Sequence, residues 1–81
     1  MRLTEFKDEY AKLVNMRYSE LNDDQKRTVY AMEIYEDSQD ALTACDIYAP
    51  QNPREAIPTE FIDDQLRNTF QYTDDAIVLL K

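Results

Sequence analysis

The chain has 81 residues with no histidine, no glycine and a single cysteine, Cys45. Without histidine it lacks the commonest general base and the commonest neutral metal ligand, and Cys–His catalysis is excluded. One thiol cannot build a zinc site or an internal disulfide, so a reducing cytoplasm is the expected compartment. Without glycine, every phosphate-binding loop and EF-hand loop that depends on it is excluded as well. Ser19 and Ser38 have no imidazole to activate them, and no lysine stands at a spacing that suggests a Ser–Lys dyad. The start, Met1-Arg2-Leu3-Thr4-Glu5, has no apolar run of the kind a signal peptide needs, and no segment approaches the length of a membrane span. The expectation is a cytoplasmic protein with no cofactor and no membrane partner.

The second absence is local. From Thr28 to Pro53, 26 residues, there is no lysine or arginine, while Glu33, Glu36, Asp37, Asp40 and Asp46 give this segment a charge of −5 out of a net −8. So uneven an excess argues against direct contact with nucleic acid and for a basic protein partner. Carboxylate pairs are the only enzymatic raw material left, as in glycosidases or magnesium-dependent phosphoryl transfer. Such pairs arise by chance in a chain this acidic, and a domain this small rarely encloses a cleft of roughly 300 Å³ or more, so a non-enzymatic protein is expected.

What is present is helical periodicity. Leu3, Phe6, Tyr10, Leu13, Val14 and Tyr18 recur at three- and four-residue steps and predict a helix over about 3–18, with Thr4 as its N-cap and Asp8–Lys12 as a favourable pair. Asn22 followed by Gln25 resembles a capping box and opens a second helix over about 23–46. Ala31, Ile34, Tyr35, Ser38, Leu42 and Cys45 form its inward seam. Pro50, Pro53 and Pro58 make 49–58 a stiff non-helical connector. Thr59 is the expected cap of a third helix over about 59–72, with Phe61, Ile62, Leu66 and Phe70 inward. Residues 74–81 form either a short fourth helix or a terminal strand, and Ile77 to Leu80 either fold back on the core or become a dimer contact. The expected architecture is all-α, a small three-helix bundle in one domain over 1–81. At this size a single core supplies roughly 3–5 kcal/mol at best, so a self-associating surface would help.

The acidic doublets Asp23-Asp24, Asp63-Asp64 and Asp74-Asp75 each fall near an expected helix start, where carboxylates favour the helix dipole. Glu33, Glu36, Asp37 and Asp40 have no such reason. On a continuous helix they share one face, with four like-charge pairs that together cost about 1–2 kcal/mol. They span about 10 Å of axis, one charge per about 2.6 Å against one per roughly 1.7 Å in duplex DNA. Tyr10, Tyr18 and Tyr35 fit core faces, whereas Tyr30, Tyr48 and Tyr72 are the better contact candidates.

The candidate partner-binding residues are therefore Glu33, Glu36, Asp37 and Asp40, with Asp46, Tyr30 and Tyr48 around them. Such a short, acidic, tyrosine-containing, cofactor-free chain is similar in general character, though by no motif, to phage-encoded inhibitors of host defence, including anti-CRISPR and anti-restriction proteins. That likeness implies a nucleic-acid mimic that occupies a basic, nucleic-acid-binding surface, in the host cytoplasm if phage-encoded. The alternative is a self-associating assembly subunit, most simply a homodimer, whose acids only confer solubility. A third reading, divalent-ion binding by carboxylate clusters, has no EF-hand loop behind it.

Overall fold

Thr28 to Glu33, six consecutive residues, are all buried. A stretch covered on every side marks the central element of a small fold. This element is α2, Asp23–Ser38, which packs against α1 (Leu3–Ala11), α3 (Ala41–Tyr48) and α4 (Thr59–Asn68). The computed structural model describes residues 3–13, 15–73 and 77–78. Val14, Asp74-Asp75 and Leu79-Leu80, which entered the sequence reading, lie outside the described residues. The fold is a small all-α bundle with four described α-helices.

α1 stops well before Tyr18. Its last turn tightens, with the Leu13 amide donating to the Tyr10 carbonyl at 2.9 Å, and Asn15 turns left-handed at φ 72°. Asparagine tolerates that conformation better than most residues that carry a Cβ. The chain then forms β1 (Met16–Arg17) and a 3₁₀ turn, Tyr18–Glu20, so Tyr18 reaches the core from a separate element. Thr4 lies inside the first turn of α1, and Lys12 pairs with Glu9 at 3.0 Å where Asp8 was expected.

The capping box at Asn22 forms as expected. The Gln25 amide donates to Asn22 Oδ1 and the Asn22 amide to Gln25 Oε1, each at 2.8 Å. The expected continuous helix over 23–46 does not form. Gln39 is left-handed at φ 58°, and its amide closes α2 on the Tyr35 carbonyl at 2.7 Å. The Ser38 hydroxyl donates to the Ile34 carbonyl at 2.8 Å and accepts from the Asp40 amide at 3.2 Å. Asp40 then caps α3, accepting from the Thr43 amide at 3.2 Å and the Thr43 hydroxyl at 2.7 Å. Ser-Gln-Asp thus acts as a stop followed by a start, because these short polar side chains satisfy backbone groups that a continuous helix would have paired. The break changes the helical phase. Of the expected seam, Ala31 and Cys45 are buried and Ile34 and Tyr35 half-buried, but Ser38 is exposed and Leu42 is 66% exposed.

The connector contains a 3₁₀ turn at Pro53–Glu55, opened by the Asn52 side chain accepting from the Arg54 amide at 3.0 Å. Pro58, not Thr59, occupies the N-cap of α4 and makes no side-chain cap bond. α4 ends at Asn68, short of 72, because the chain wraps back: the Tyr72 amide donates to the Leu66 carbonyl at 2.8 Å, with Gln71 left-handed at φ 61°. Such a bond to the helix's last turn is a known way to satisfy terminal carbonyls. Ile62 and Leu66 face the core as expected, Phe70 is half-buried, and Phe61 is 48% exposed. Of the two readings left open for the C-terminal block, the strand is observed: β2 (Ile77–Val78) pairs antiparallel with β1, Met16 opposite Val78 and Arg17 opposite Ile77.

The α2–α3 junction generates a paired test. Gln39→Gly removes the left-handed penalty and should stabilise the protein by about 1 kcal/mol. Asp40→Ala should lower the urea midpoint and Asp40→Asn should largely preserve it, since asparagine caps as well as aspartate. Denaturation followed by circular dichroism measures all three. An unchanged midpoint for Asp40→Ala would mean that the cap does not hold the junction.

Candidate functional site

The break between α2 and α3 divides the expected acidic face. Glu33 is only 5% exposed and accepts a hydrogen bond from the Tyr72 hydroxyl at 2.7 Å. Burial, followed by that bond and the Glu33 charge, pushes the Tyr72 phenol well above its ordinary range. Burial and the charges of Glu33 and Glu36 do the same to Tyr10. Glu33 is therefore a core carboxylate supported by tyrosine, correcting its place in an outward stripe. The central position of α2 is the reason, since it leaves no solvent side at this level.

The other candidates separate further. Glu36 is half-buried and Asp37 is exposed in the last turn of α2. Asp40 is exposed but serves as the cap of α3, and its carboxyl is held below the usual range first by the Thr43 hydroxyl and then by the Thr43 amide. Tyr30 is buried, edge-on to Phe61 at 6.5 Å and Phe70 at 6.3 Å, and burial raises its phenol. It belongs to the core and offers no contact surface. Tyr48 is half-buried against Phe6, with ring centres 5.7 Å apart. The four acids do not form one 10 Å row.

A different outward face takes its place. α3 presents Leu42, Thr43 and Asp46 to solvent, with Asp40 at its N-terminal end. Asp46 also lines a shallow depression of about 160 Å³ with Pro50, Gln51 and Glu55. Glu55 is thus brought beside Asp46 by the connector. No periodicity announces that neighbour, because the chain between them is not helical.

A polar cluster of four side chains lies elsewhere, around Asp63. Its carboxylate accepts from the Tyr18 hydroxyl, from Lys26 Nζ at 3.1 Å and from Arg67 Nε at 3.1 Å. Lys26 and Arg67 also lie over the Tyr18 ring, 4.9 and 4.7 Å from its centre, and Tyr72 stacks on that ring at 6.1 Å. The Tyr18 hydroxyl first, then Lys26 and Arg67, hold the Asp63 carboxyl below its usual range. The helix-start reading of Asp63-Asp64 does not hold, because the acid in the first turn of α4 is Glu60. Asp23 and Asp24 do sit in the first turn of α2.

Between α1, the start of α2 and the end of α3 lies a half-open pocket of about 420 Å³, lined by Glu9, Leu13, Asn22, Asp24, Gln25, Arg27, Thr28, Tyr48 and Ala49. Its volume is on the scale of a ligand cleft, roughly 300 Å³ or more, but the pocket is open to solvent and not enclosed. Among the described residues no three acidic or thiol side chains converge to hold a metal ion. Likewise, no described helix is long and apolar enough to cross a membrane. Comparison with family models, curated proteins and solved structures finds no match.

The Asp63 cluster carries a pH prediction. A carboxyl whose folded pKa is depressed contributes stability that is present above its unfolded value, near 3.8, and is lost as pH falls through the folded value. Asp63→Asn should cost about 1–2 kcal/mol near neutral pH and should flatten the loss of stability below about pH 4. Urea midpoints at stepped pH measure both, and parallel acid profiles for variant and wild type would rule out this role for Asp63.

Proposed function

We propose that this chain is a non-enzymatic, acidic protein-binding module that occupies a basic surface of a partner, of the kind that otherwise receives nucleic acid. In general character it is similar to phage anti-defence proteins, acting as an inhibitor by nucleic-acid mimicry. The observation that carries the reading is the excess of exposed acids over exposed bases. Lys26 and Arg67 close on Asp63, Arg27 Nη2 donates to the Ile57 carbonyl at 2.7 Å, Lys7 lies over Tyr35 at 5.2 Å, and Lys12 pairs with Glu9. Meanwhile Asp37, Asp40, Asp46, Glu55, Glu60 and Asp64 are exposed. Among the described residues twelve acids but only five bases, Lys7, Lys12, Arg17, Arg54 and Arg67, are exposed, so the outer field is negative and favours a basic partner.

The recognition face moves from the expected stripe to the outer side of α3. Asp40, Asp46 and Glu55 supply charge, with Asp37 at the end of α2. Leu42 provides an apolar contact among them, which suits a partner whose lysines and arginines surround a small apolar depression. Asp40 has a structural task as well, so it is a poor probe of binding.

The test compares immobilised wild-type protein with an Asp37→Asn, Asp46→Asn, Glu55→Gln variant as baits for a lysate of the native host. The expected result is a basic, nucleic-acid-binding protein retained by wild type, released with rising salt, displaced by duplex DNA and held about tenfold more weakly by the variant. Identical retention on both baits, insensitive to salt, would overturn the electrostatic reading.

The alternative of a self-associating assembly subunit draws on the exposure of Leu42 and Phe61. Sedimentation velocity over a range of concentrations separates the two. A concentration-independent monomer counts against self-association, and a dimer lost in a Leu42→Ser, Phe61→Ser variant favours it.

A further inference from the structure

The 420 Å³ pocket combines features that the α3 face lacks. Glu9 and Asp24 are exposed carboxylates on its wall, Leu13 is a buried apolar wall residue and Tyr48 adds a half-buried ring. Arg27 lines the same pocket. Its Nη2 is held by the Ile57 carbonyl, but its Nη1 is shut off from solvent with no acceptor among the described residues. A buried guanidinium nitrogen without an acceptor is unfavourable, and a ligand carbonyl placed beside it after a small side-chain shift would relieve that state.

The chemistry is therefore bipolar: a donor in need of a carbonyl, and two carboxylates beside an aromatic ring. A free anion suits Arg27 but is repelled by Glu9 and Asp24. A purely apolar ligand leaves the carboxylates and the Arg27 donor unanswered. We infer that the pocket receives one arginine or lysine residue of a partner protein, its main-chain carbonyl toward Arg27 and its cationic end toward Glu9 and Asp24. A planar guanidinium fits best, because it can meet a carboxylate bidentately and lie on the face of an aromatic ring such as Tyr48. The Lys12–Glu9 ion pair at the rim is an exposed contact between residues one helical turn apart, weak enough to exchange for the incoming cation. This inference rests on the reading of the protein as a binder of basic surfaces, and gives that surface a protruding basic residue to seat here.

The experiment needs no identified partner. Isotope-labelled protein is titrated with N-acetyl-arginine N-methylamide, and in parallel with the corresponding lysine and citrulline compounds, while backbone amide shifts are followed. The expected result is saturating shifts at Asp24, Arg27, Thr28 and Ala49 with the arginine compound, smaller ones with lysine and none with neutral citrulline. In a Glu9→Gln, Asp24→Asn variant binding should be about tenfold weaker. Both substituted side chains are exposed, so the fold should persist, and the unchanged remainder of the spectrum verifies it. A Glu60→Gln variant, changed at an exposed position outside both the pocket and the α3 face, should bind the arginine compound as wild type does. No saturating shifts at these amides, or equal shifts with citrulline, would overturn the pocket while leaving the α3 face to the partner-capture test. Arginine binding together with failure of partner capture would sustain the pocket and sink the broader reading.

Discussion

A chain without glycine must reverse direction on residues that carry a Cβ, and such a reversal closes α2 and follows within a few residues of the ends of α1 and α4. Asn15 follows α1, Gln39 follows α2 and Gln71 follows α4, each in the left-handed region at φ 72°, 58° and 61°. Such positions are held only where the surrounding contacts over-determine them. Here the contacts are visible. Asn15 delivers Tyr18 to the core, Gln39 turns the chain so that Asp40 can start α3, and Gln71 brings Tyr72 onto Glu33 and Tyr18. Remove these reversals and the side chains that cover α2 are no longer aimed at it.

A scarcity of basic residues explains the tyrosines. With 9 basic against 17 acidic side chains, cations cannot meet every carboxylate in the molecule. Tyrosine hydroxyls take part of that task, Tyr18 on Asp63 and Tyr72 on Glu33. A phenol donates to a carboxylate without the desolvation cost of a second buried charge, and its ring fills core volume besides. The shared stack of Tyr18 on Tyr72 joins the two carboxylate sites, so α2, α4 and the segment after α4 are held by one polar and aromatic cluster. Tyr72, which reads as a contact candidate in the sequence, is instead the internal counterpart of Glu33.

The same scarcity shapes the outer surface. Once Lys26 and Arg67 close on Asp63, the exposed carboxylates around α3 face solvent with few compensating charges. Surface charge of one sign costs stability that a small domain can ill spare, though solvent screening limits the loss. The arrangement is reasonable if a basic partner completes it. The pocket beside Arg27 adds a concave feature, and concavity supplies the geometric selectivity that charge alone does not.

Much of the fold was legible in local pattern. The capping box at Asn22, the first-turn acids Asp23 and Asp24, the inward Phe6, Tyr10, Ile62 and Leu66 and the all-helical class follow from propensity, caps and periodicity, which act over a few residues and leave a linear trace. The candidate site was legible only in part. Asp37 and Asp46 are exposed as expected, but Glu33 and Tyr30 are interior, Asp40 is a cap, and Glu55 and the pocket at Arg27 had no signal. The capping chemistry of Ser38, Asp40 and Thr43 was present in the residues, yet helical periodicity ran through it and concealed the break. Which acids face water depends on which helices surround α2, and that is decided by contacts between residues as far apart as Glu33 and Tyr72. Composition and local pattern determined that this chain is helical and strongly acidic. Only tertiary packing decided which acids are structural and which are presented outward, because burial belongs to the assembled bundle and not to any one helix.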